Sequence, residues 1–118
     1  MKAIVRVEPV IWFLFGLGFF AGALVMPAWI LVVALAGPLG MAPDGALAYE
    51  RAHALAANPL GRVFLFGVIS VLLWHAANHL RHFNLDFGGH GRDQWLAPLL
   101  YGGALVLTVL ALYAVVRL

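Results

Sequence analysis

The chain alternates between long apolar runs and short polar segments, and this pattern predicts its helices. Three apolar runs extend over about residues 10–36, 60–83 and 95–116. Each run exceeds the roughly 20 residues that an α-helix needs to cross the hydrocarbon core of a bilayer. Backbone groups in lipid must form their hydrogen bonds within the segment, so each run is expected to be helical. The pattern therefore predicts an all-α membrane protein, with three transmembrane helices in a single domain over residues 1–118.

The first run has two features that affect its packing. Gly18 and Gly22 are four residues apart, a spacing that allows a second helix to approach closely. Pro27 lacks a backbone N–H and is expected to bend the helix. The run is far longer than the roughly 7–15 apolar residues of a secretory signal, so we expect it to be a retained span.

The polar segment between the first two runs is expected to be structured. Asp44 is a candidate cap for a short helix over about residues 45–57, and Asn58 followed by Pro59 would stop that helix. The segment mixes apolar and charged side chains, as helices in the membrane interface do. We therefore predict a short interfacial helix in the first loop.

Composition supports a membrane location and excludes several classes of function. Hydrophobic residues make up 64% of the chain and charged residues 10%, whereas ordinary soluble domains are about 25% charged. A soluble fold of this size could not bury so much apolar surface. The basic residues are dispersed and the formal charge is +2, so no nucleic-acid partner is expected. The absence of cysteine excludes disulfides, thiolate metal sites and iron–sulfur ligation by this chain.

Basic residues near the ends of the spans predict the orientation of the chain. Lys2 and Arg6 precede the first span, and Arg81 and Arg92 flank the second loop. With three spans these two segments lie on the same side of the membrane. The opposite side holds Arg51, Arg62 and Arg117. The slight excess of positive charge favours a cytoplasmic N-terminus.

The most informative polar positions lie at the end of the second span, in residues 74–82 (WHAANHLRH). Ionisable groups inside a membrane are costly and usually mark a functional site. Helical spacing predicts that four side chains form one polar stripe, namely His75, Asn78, His79 and His82. Arg81 is expected to point elsewhere. Because the first two spans are antiparallel, Trp12 at the start of the first span is predicted to lie beside His82.

Several interpretations of this stripe remain open on the residues alone. A quinone head group needs hydrogen-bond donors, a flat apolar wall and access from the lipid, and histidine exchanges protons near neutral pH. A haem could use His75 as an axial ligand, although the other two spans contain no histidine. A metal transporter could use His75 with His79, but no other carboxylate or histidine in the spans completes a coordination shell.

A purely structural interpretation also accounts for these residues. Tryptophan and histidine are common at membrane interfaces as amphipathic anchors, and Trp12 and His82 both lie near span ends. His75 lies deeper, so its structural role would be a hydrogen bond to another helix.

Several segments in order resemble a known family. Residues 8–12 (EPVIW) look like the entry to its first helix. Residues 38–40 (PLG) and 44–51 (DGALAYER) are similar to its first loop, and residues 61–66 (GRVFLF) to the opening of its second helix. Residues 73–82 match the end of that helix. The family is the D subunit, the smaller of the two membrane anchors, of the four-subunit fumarate reductases of the complex II family.

The resemblance implies a function that the residues alone leave open. Such anchors hold a flavoprotein subunit and an iron–sulfur subunit at the cytoplasmic face of the bacterial inner membrane, together with a second anchor. Electrons pass from menaquinol to the flavin, where fumarate is reduced in anaerobic respiration. FAD and the iron–sulfur clusters belong to the partner subunits, so this chain would be a non-catalytic subunit, and no haem is expected. The alternative is the anchor of a succinate:quinone oxidoreductase that works in reverse, with or without haem b.

The resemblance also implies a quinone site shared with the iron–sulfur subunit and the other anchor. The tryptophan of the family's first helix falls on Trp12, and the histidine at the end of its second helix falls on His82. Its basic residue falls on His79, whereas Arg81 lies two residues later and about 200° further round the helix. We therefore predict quinone contacts by Trp12, His82 and either His79 or Arg81, with His75 as a further candidate. No metal ligands are predicted.

Overall fold

The structure is all-helical, and its long helices coincide with the apolar runs. It is a computed structural model that describes the backbone of residues 2–118 and the side chains of residues 9, 10 and 12–118. The side chains of four residues used above therefore lie outside the described part, namely Lys2, Arg6, Glu8 and Ile11. Three helical segments are long and apolar enough to cross a membrane: Trp12–Ala36, Pro59–Asp86 and Gly89–Val116. The three predicted spans are thus confirmed.

The described residues form five α-helices: α1 (Lys2–Phe20), α2 (Met26–Ile30), α3 (Tyr49–Ala57), α4 (Pro59–Asp86) and α5 (Asp93–Val116). π-helical turns at Ala21–Val25 and Leu31–Ala36 follow α1 and α2, so the first span is helical throughout. A 3-10 turn, Gly89–Arg92, leads into α5.

The two π-helical turns lie on either side of Pro27. This proline is in the first turn of α2 and comes shortly after Ala21–Val25. A proline inside a helix removes one N–H donor, and its ring collides with the carbonyl four residues earlier. Prolines and π-helical turns are the usual sites of helix distortion. The disturbance predicted at Pro27 therefore takes the form of widened turns.

The first loop contains the predicted helix, but the helix begins later. α3 starts at Tyr49, and Ala48 rather than Asp44 is its N-cap. The reason is a turn before the helix, in which Gly45 has a φ of 72°, a conformation that favours glycine and interrupts a helix. Asn58 ends α3 as predicted, and its side chain caps the start of α4. The location of α3 in the membrane interface stays a prediction.

Arg62 joins the ends of two helices on the side of the first loop. Its Nε donates to the Ala57 carbonyl at 2.8 Å, and its Nη1 donates to the Val116 carbonyl at 3.2 Å. A cation at the C-terminal end of a helix also complements the helix dipole. Arg62 therefore fixes the start of α4 against the ends of α3 and α5.

α4 packs against α1 through the predicted pair of glycines. Gly18 is buried, and a Cβ atom added to it would collide with the Val71 carbonyl oxygen and the His75 side chain. A Cβ atom at Gly22 would lie 3.6 Å from the Leu72 side chain. The two helices approach this closely only because position 18 has no side chain.

The second loop reverses the chain between α4 and α5. Gly88 has a φ of 79°, which residues with side chains rarely adopt. Gly89 is buried against Asn84, whose amide donates to the Gly89 carbonyl at 3.1 Å. The loop thereby places Asp93, the first residue of α5, beside the end of α4.

We expect Gly18→Ala to weaken the packing of α1 on α4. The added methyl group would meet backbone that cannot move aside easily, and overpacking a close interface typically costs about 1–3 kcal/mol. Gly16→Ala is the matched control on the same helix, because a Cβ atom there meets nothing within 4 Å. Thermal unfolding of both variants in detergent should lower Tm for Gly18→Ala alone. Equal Tm values for the two variants would contradict this packing.

Candidate functional site

Near the second loop, α4 presents two polar faces to two different neighbours. Successive residues of a helix are about 100° apart, so adjacent side chains such as Arg81 and His82 can face different neighbouring helices. We call the side that faces α1 the histidine face, which consists of His75, His79 and His82. We call the side that faces α5 the ion-pair face, which consists of Asn78 and Arg81.

His75 on the histidine face forms a hydrogen bond with α1. Its Nδ1 lies 3.0 Å from the Phe15 carbonyl oxygen. Because a carbonyl oxygen can only accept, the Nδ1–H must donate. The His75 ring also stacks on the Phe15 ring, with centroids 4.5 Å apart and an interplanar angle of 15°. His75 thus makes the interhelical hydrogen bond that the structural interpretation predicts.

His82 lies against Trp12 at the end of the histidine face. The ring centroids are 5.8 Å apart, with an angle of 43° between the ring planes. The predicted approach of these two residues is therefore confirmed. Trp12 is 52% exposed and His82 is half-buried, so both rings can be reached from outside the chain.

His79 lies between the other two histidines and is exposed. Its ring is nearly parallel to that of His75, with an angle of 7° and a centroid distance of 5.9 Å. Its side chain makes no hydrogen bond to the described residues. Trp12 and His82 therefore provide an accessible pair of rings, and the exposed His79 imidazole lies about one turn away along α4. The described residues include no group of three or more His, Cys, Asp or Glu side chains placed to hold a metal ion.

Arg81 on the ion-pair face is bound to Asp93. Its Nε and Nη2 donate to the two carboxylate oxygens of Asp93, each at 2.7 Å. The two side chains are 29% and 23% exposed. A bidentate pair of this kind fixes direction as well as distance. The structure confirms that Arg81 points away from the histidines, and it places the guanidinium on the α5 side.

Asn78 also faces α5, so its predicted place in the histidine stripe is wrong. Its side chain is 3% exposed, and the Tyr101 hydroxyl donates to its Oδ1 at 2.7 Å. Asn78 is three residues after His75, and three residues correspond to a rotation of about 300° around the helix axis, which is the same as 60° in the opposite direction. That angle turns Asn78 from the side of His75 towards α5. Trp74 stacks on Tyr101 beside it, with ring centroids 6.0 Å apart.

The two α5 partners of the ion-pair face, Asp93 and Tyr101, were not predicted from the sequence. They are eight residues apart and share one face of α5. An acidic residue across a short loop from Arg81 was the available signal. Asp86 and Arg92 lie in the same region, however, so charge alone does not identify the pair.

The sequence also matches known proteins over most of its length. Residues 3–116 match the family described as the D subunit of fumarate reductase. The chain is 35% identical over 105 residues to the fumarate reductase D subunit of Vibrio cholerae serotype O1 (strain M66-2), which covers 88% of this chain and 79% of the relative. It is 35% identical over 83 residues to that of Vibrio parahaemolyticus serotype O3:K6 (strain RIMD 2210633), and this match covers 70% of this chain and 66% of the relative. It is 37% identical over 103 residues to that of Mycobacterium bovis (strain BCG / Pasteur 1173P2), and this match covers 84% of this chain and 78% of the relative.

We expect His75→Phe to destabilise the pairing of α1 and α4. Phenylalanine keeps the stack on Phe15 but cannot donate to its carbonyl, and an interhelical hydrogen bond in a membrane is worth about 0.6 kcal/mol, with a maximum of about 1.7 kcal/mol. His79→Phe makes the same change where no hydrogen bond is lost. Thermal unfolding in detergent should give the lower Tm for His75→Phe. An equal or larger loss for His79→Phe would show that the bond contributes nothing.

Proposed function

The chain belongs to the family of fumarate reductase D subunits, and from that premise we propose that it contributes residues to the quinol site of a quinol:fumarate reductase. Membership makes it a membrane anchor of a multi-subunit complex, and its three spans make it a multi-pass membrane protein. We further propose that its partners are a flavoprotein, an iron–sulfur protein and a second anchor. The membrane is then the bacterial inner membrane, with the N-terminus in the cytoplasm.

The contact between Trp12 and His82 is the observation that most supports this proposal. It joins the start of the first span to the end of the second, at one edge of the membrane. Two aromatic rings lie 5.8 Å apart there and remain accessible. A quinol head group needs a flat apolar surface and hydrogen-bonding nitrogens close together, and this edge provides both. The names of the relatives support fumarate reduction as the direction of the reaction rather than succinate oxidation.

Each residue of this edge has a proposed role that follows from its chemistry. Menaquinol is the substrate, and its oxidation supplies two electrons and two protons. The Trp12 indole provides the flat wall. The imidazoles of His82 and His79 hydrogen-bond to the hydroxyl groups and accept protons from them. The exposed side of Trp12 and His79 leaves a path from the lipid for an isoprenoid tail.

The electrons must leave through a partner subunit. This chain has no cysteine, and protein-bound iron–sulfur clusters are held mainly by cysteine thiolates. The clusters that receive the electrons therefore belong to the iron–sulfur subunit. We assign His75 to helix packing in this proposal, because its Nδ1–H donates to the Phe15 carbonyl.

Purification of the tagged chain in mild detergent tests the proposed partners. We expect a flavoprotein, an iron–sulfur protein and one further membrane anchor to copurify with it, as identified by mass spectrometry. A tagged membrane protein of similar size and unrelated family is the control for detergent carry-over. Recovery of the chain alone, or with the same proteins as the control, would contradict the proposed assembly.

Substitutions at the proposed site should slow quinol oxidation selectively. We expect Trp12→Ala and His82→Ala each to reduce quinol-dependent fumarate reduction by at least about tenfold. The first removes the flat wall for the quinol ring, and the second removes a proton-transferring group, which typically contributes about 10²–10⁴-fold. Fumarate reduction driven by a soluble reduced dye, which bypasses the quinol site, should stay unchanged. Trp29→Ala and His53→Ala are matched controls, since both residues lie towards the opposite end of the first two spans. Unchanged quinol-dependent rates in assembled Trp12→Ala and His82→Ala complexes would refute the site.

A further inference from the structure

We propose that the ion pair of Arg81 and Asp93 positions the quinol site without contacting the quinol. The pair holds the end of α4 at the rotation that keeps His82 against Trp12. This inference rests on the proposed function, because it assigns a role within that site. It makes Arg81 a positioning residue rather than a quinone ligand.

The hydrogen-bonding groups of Arg81 that face α5 are already engaged. Nε and Nη2 each donate to a separate oxygen of Asp93 at 2.7 Å. The guanidinium also lies over the Tyr101 ring, with Cζ 5.9 Å from the ring centroid. Two parallel hydrogen bonds hold a guanidinium in one plane and one direction. For Arg81 to reach a head group beside Trp12, it would have to break both bonds and cross to the other face.

Because Arg81 directly precedes His82 in the sequence, fixing the direction of Arg81 also fixes the direction of His82. The two residues are adjacent, so any rotation of α4 that moves one side chain moves the other by the same angle. Side chains lie well outside the Cα radius of about 2.3 Å, so even a small rotation shifts a ring appreciably. The His82 and Trp12 rings are only 5.8 Å apart and would separate.

The contacts between α4 and the described side chains of α1 do not fix this end of α4 by themselves. The close approach at Gly18 and the hydrogen bond of His75 lie about two turns before His82. His82 itself makes only a tilted ring contact with Trp12 and no hydrogen bond to the described residues. Among the side chains that the structure describes, the ion pair is therefore the directional interaction closest to His82 along α4.

The surroundings of the pair strengthen it and extend it into the bundle. Arg81 and Asp93 are about three-quarters covered, with 29% and 23% of their side chains exposed, so water screens them less than it screens a surface pair. Further inside, the Tyr101 hydroxyl donates to the buried Asn78 at 2.7 Å. Each of α4 and α5 thus supplies two residues to one polar network. That network restricts movement of α4 relative to α5, which the glycine-containing loop between them would otherwise allow.

A double-mutant cycle in the assembled complex tests the proposal. The variants are Arg81→Gln, Asp93→Asn and the two combined, and the readouts are the KM for quinol, kcat and the dye-driven rate. Arg92→Gln is the matched control. Like Arg81→Gln it removes one positive charge, but from the residue that precedes Asp93 in the second loop. If a single substitution prevents assembly, Arg81→Lys replaces it, since lysine keeps the charge but cannot form the bidentate pair.

A second readout measures geometry independently of activity. The chain has no natural cysteine, so Trp12→Cys combined with His82→Cys introduces the only thiols of this chain. A short bismaleimide should join them, and mass spectrometry of the linked peptides gives the yield. The yield is then compared with and without Arg81→Gln or Asp93→Asn in the same background.

We expect each single substitution to raise the KM for quinol by about tenfold, because a displaced His82 no longer meets the head group. A misplacement of about 1 Å can in addition cost about 10²-fold in rate. The dye-driven rate should stay unchanged, and the cross-link yield should fall. The double variant should be no worse than either single variant, since residues that act through one contact are not additive. Arg92→Gln should match the unaltered complex in every readout.

Three results would overturn the positioning role. The first is an Asp93→Asn complex with unchanged KM and unchanged cross-link yield. The second is an effect of Arg81→Gln alone with unchanged yield, which would mean that Arg81 contacts the quinol. The third is full additivity in the double variant. If Trp12→Ala and His82→Ala themselves leave quinol kinetics unchanged, the site fails; if they slow quinol oxidation while the pair variants do not, only the positioning role fails.

Discussion

The close approach of α1 and α4 at Gly18 determines how the first two spans pair. In lipid the hydrophobic effect does not drive helices together, so association relies on van der Waals fit and hydrogen bonds between helices. Without a side chain at Gly18, the α4 backbone at Val71 comes into contact with α1. That contact brings His75 within hydrogen-bonding distance of the Phe15 carbonyl. Two turns further on, the same pairing brings His82 to Trp12, and the proposed quinol site follows from it.

α4 makes different kinds of contact with its two neighbours. Towards α1 it makes a close packed contact with aromatic and imidazole rings. Towards α5 it makes polar bonds at both ends, from Arg62 near the first loop and from Arg81 near the second. Directional bonds on the α5 side can fix the rotation of α4, which leaves exposed imidazoles free on the other side. Near the second loop, α4 in this way separates the residues that hold it to α5 from those that we propose to meet the substrate.

The sequence predicted the spans and their pairing, but it did not predict which neighbouring helix a polar side chain of α4 faces. The three spans follow from run length, the stop at Asn58 from the proline after it, and the pairing of Trp12 with His82 from the antiparallel order of the spans. The structure confirms all three. Asn78 was misplaced because a residue 60° from His75 can belong to either of two faces until the neighbouring helix is known. The pair of Arg81 and Asp93 depends on the course of a glycine-containing loop, which charge patterns do not define. Membership of the family is confirmed, whereas the quinone contacts of individual residues stay predictions.

Photolabelling with a quinone tests directly whether Trp12 and His82 line the quinol site. The assembled complex would be illuminated with a menaquinone analogue that has an azido group on its ring, with and without excess menaquinol, and the labelled peptides would be mapped by mass spectrometry. We expect label on the peptides of this chain that contain Trp12 and residues 79–82, and loss of that label when menaquinol competes. Competed label that lies only on the partner subunits, or in this chain only around α3, would contradict the account.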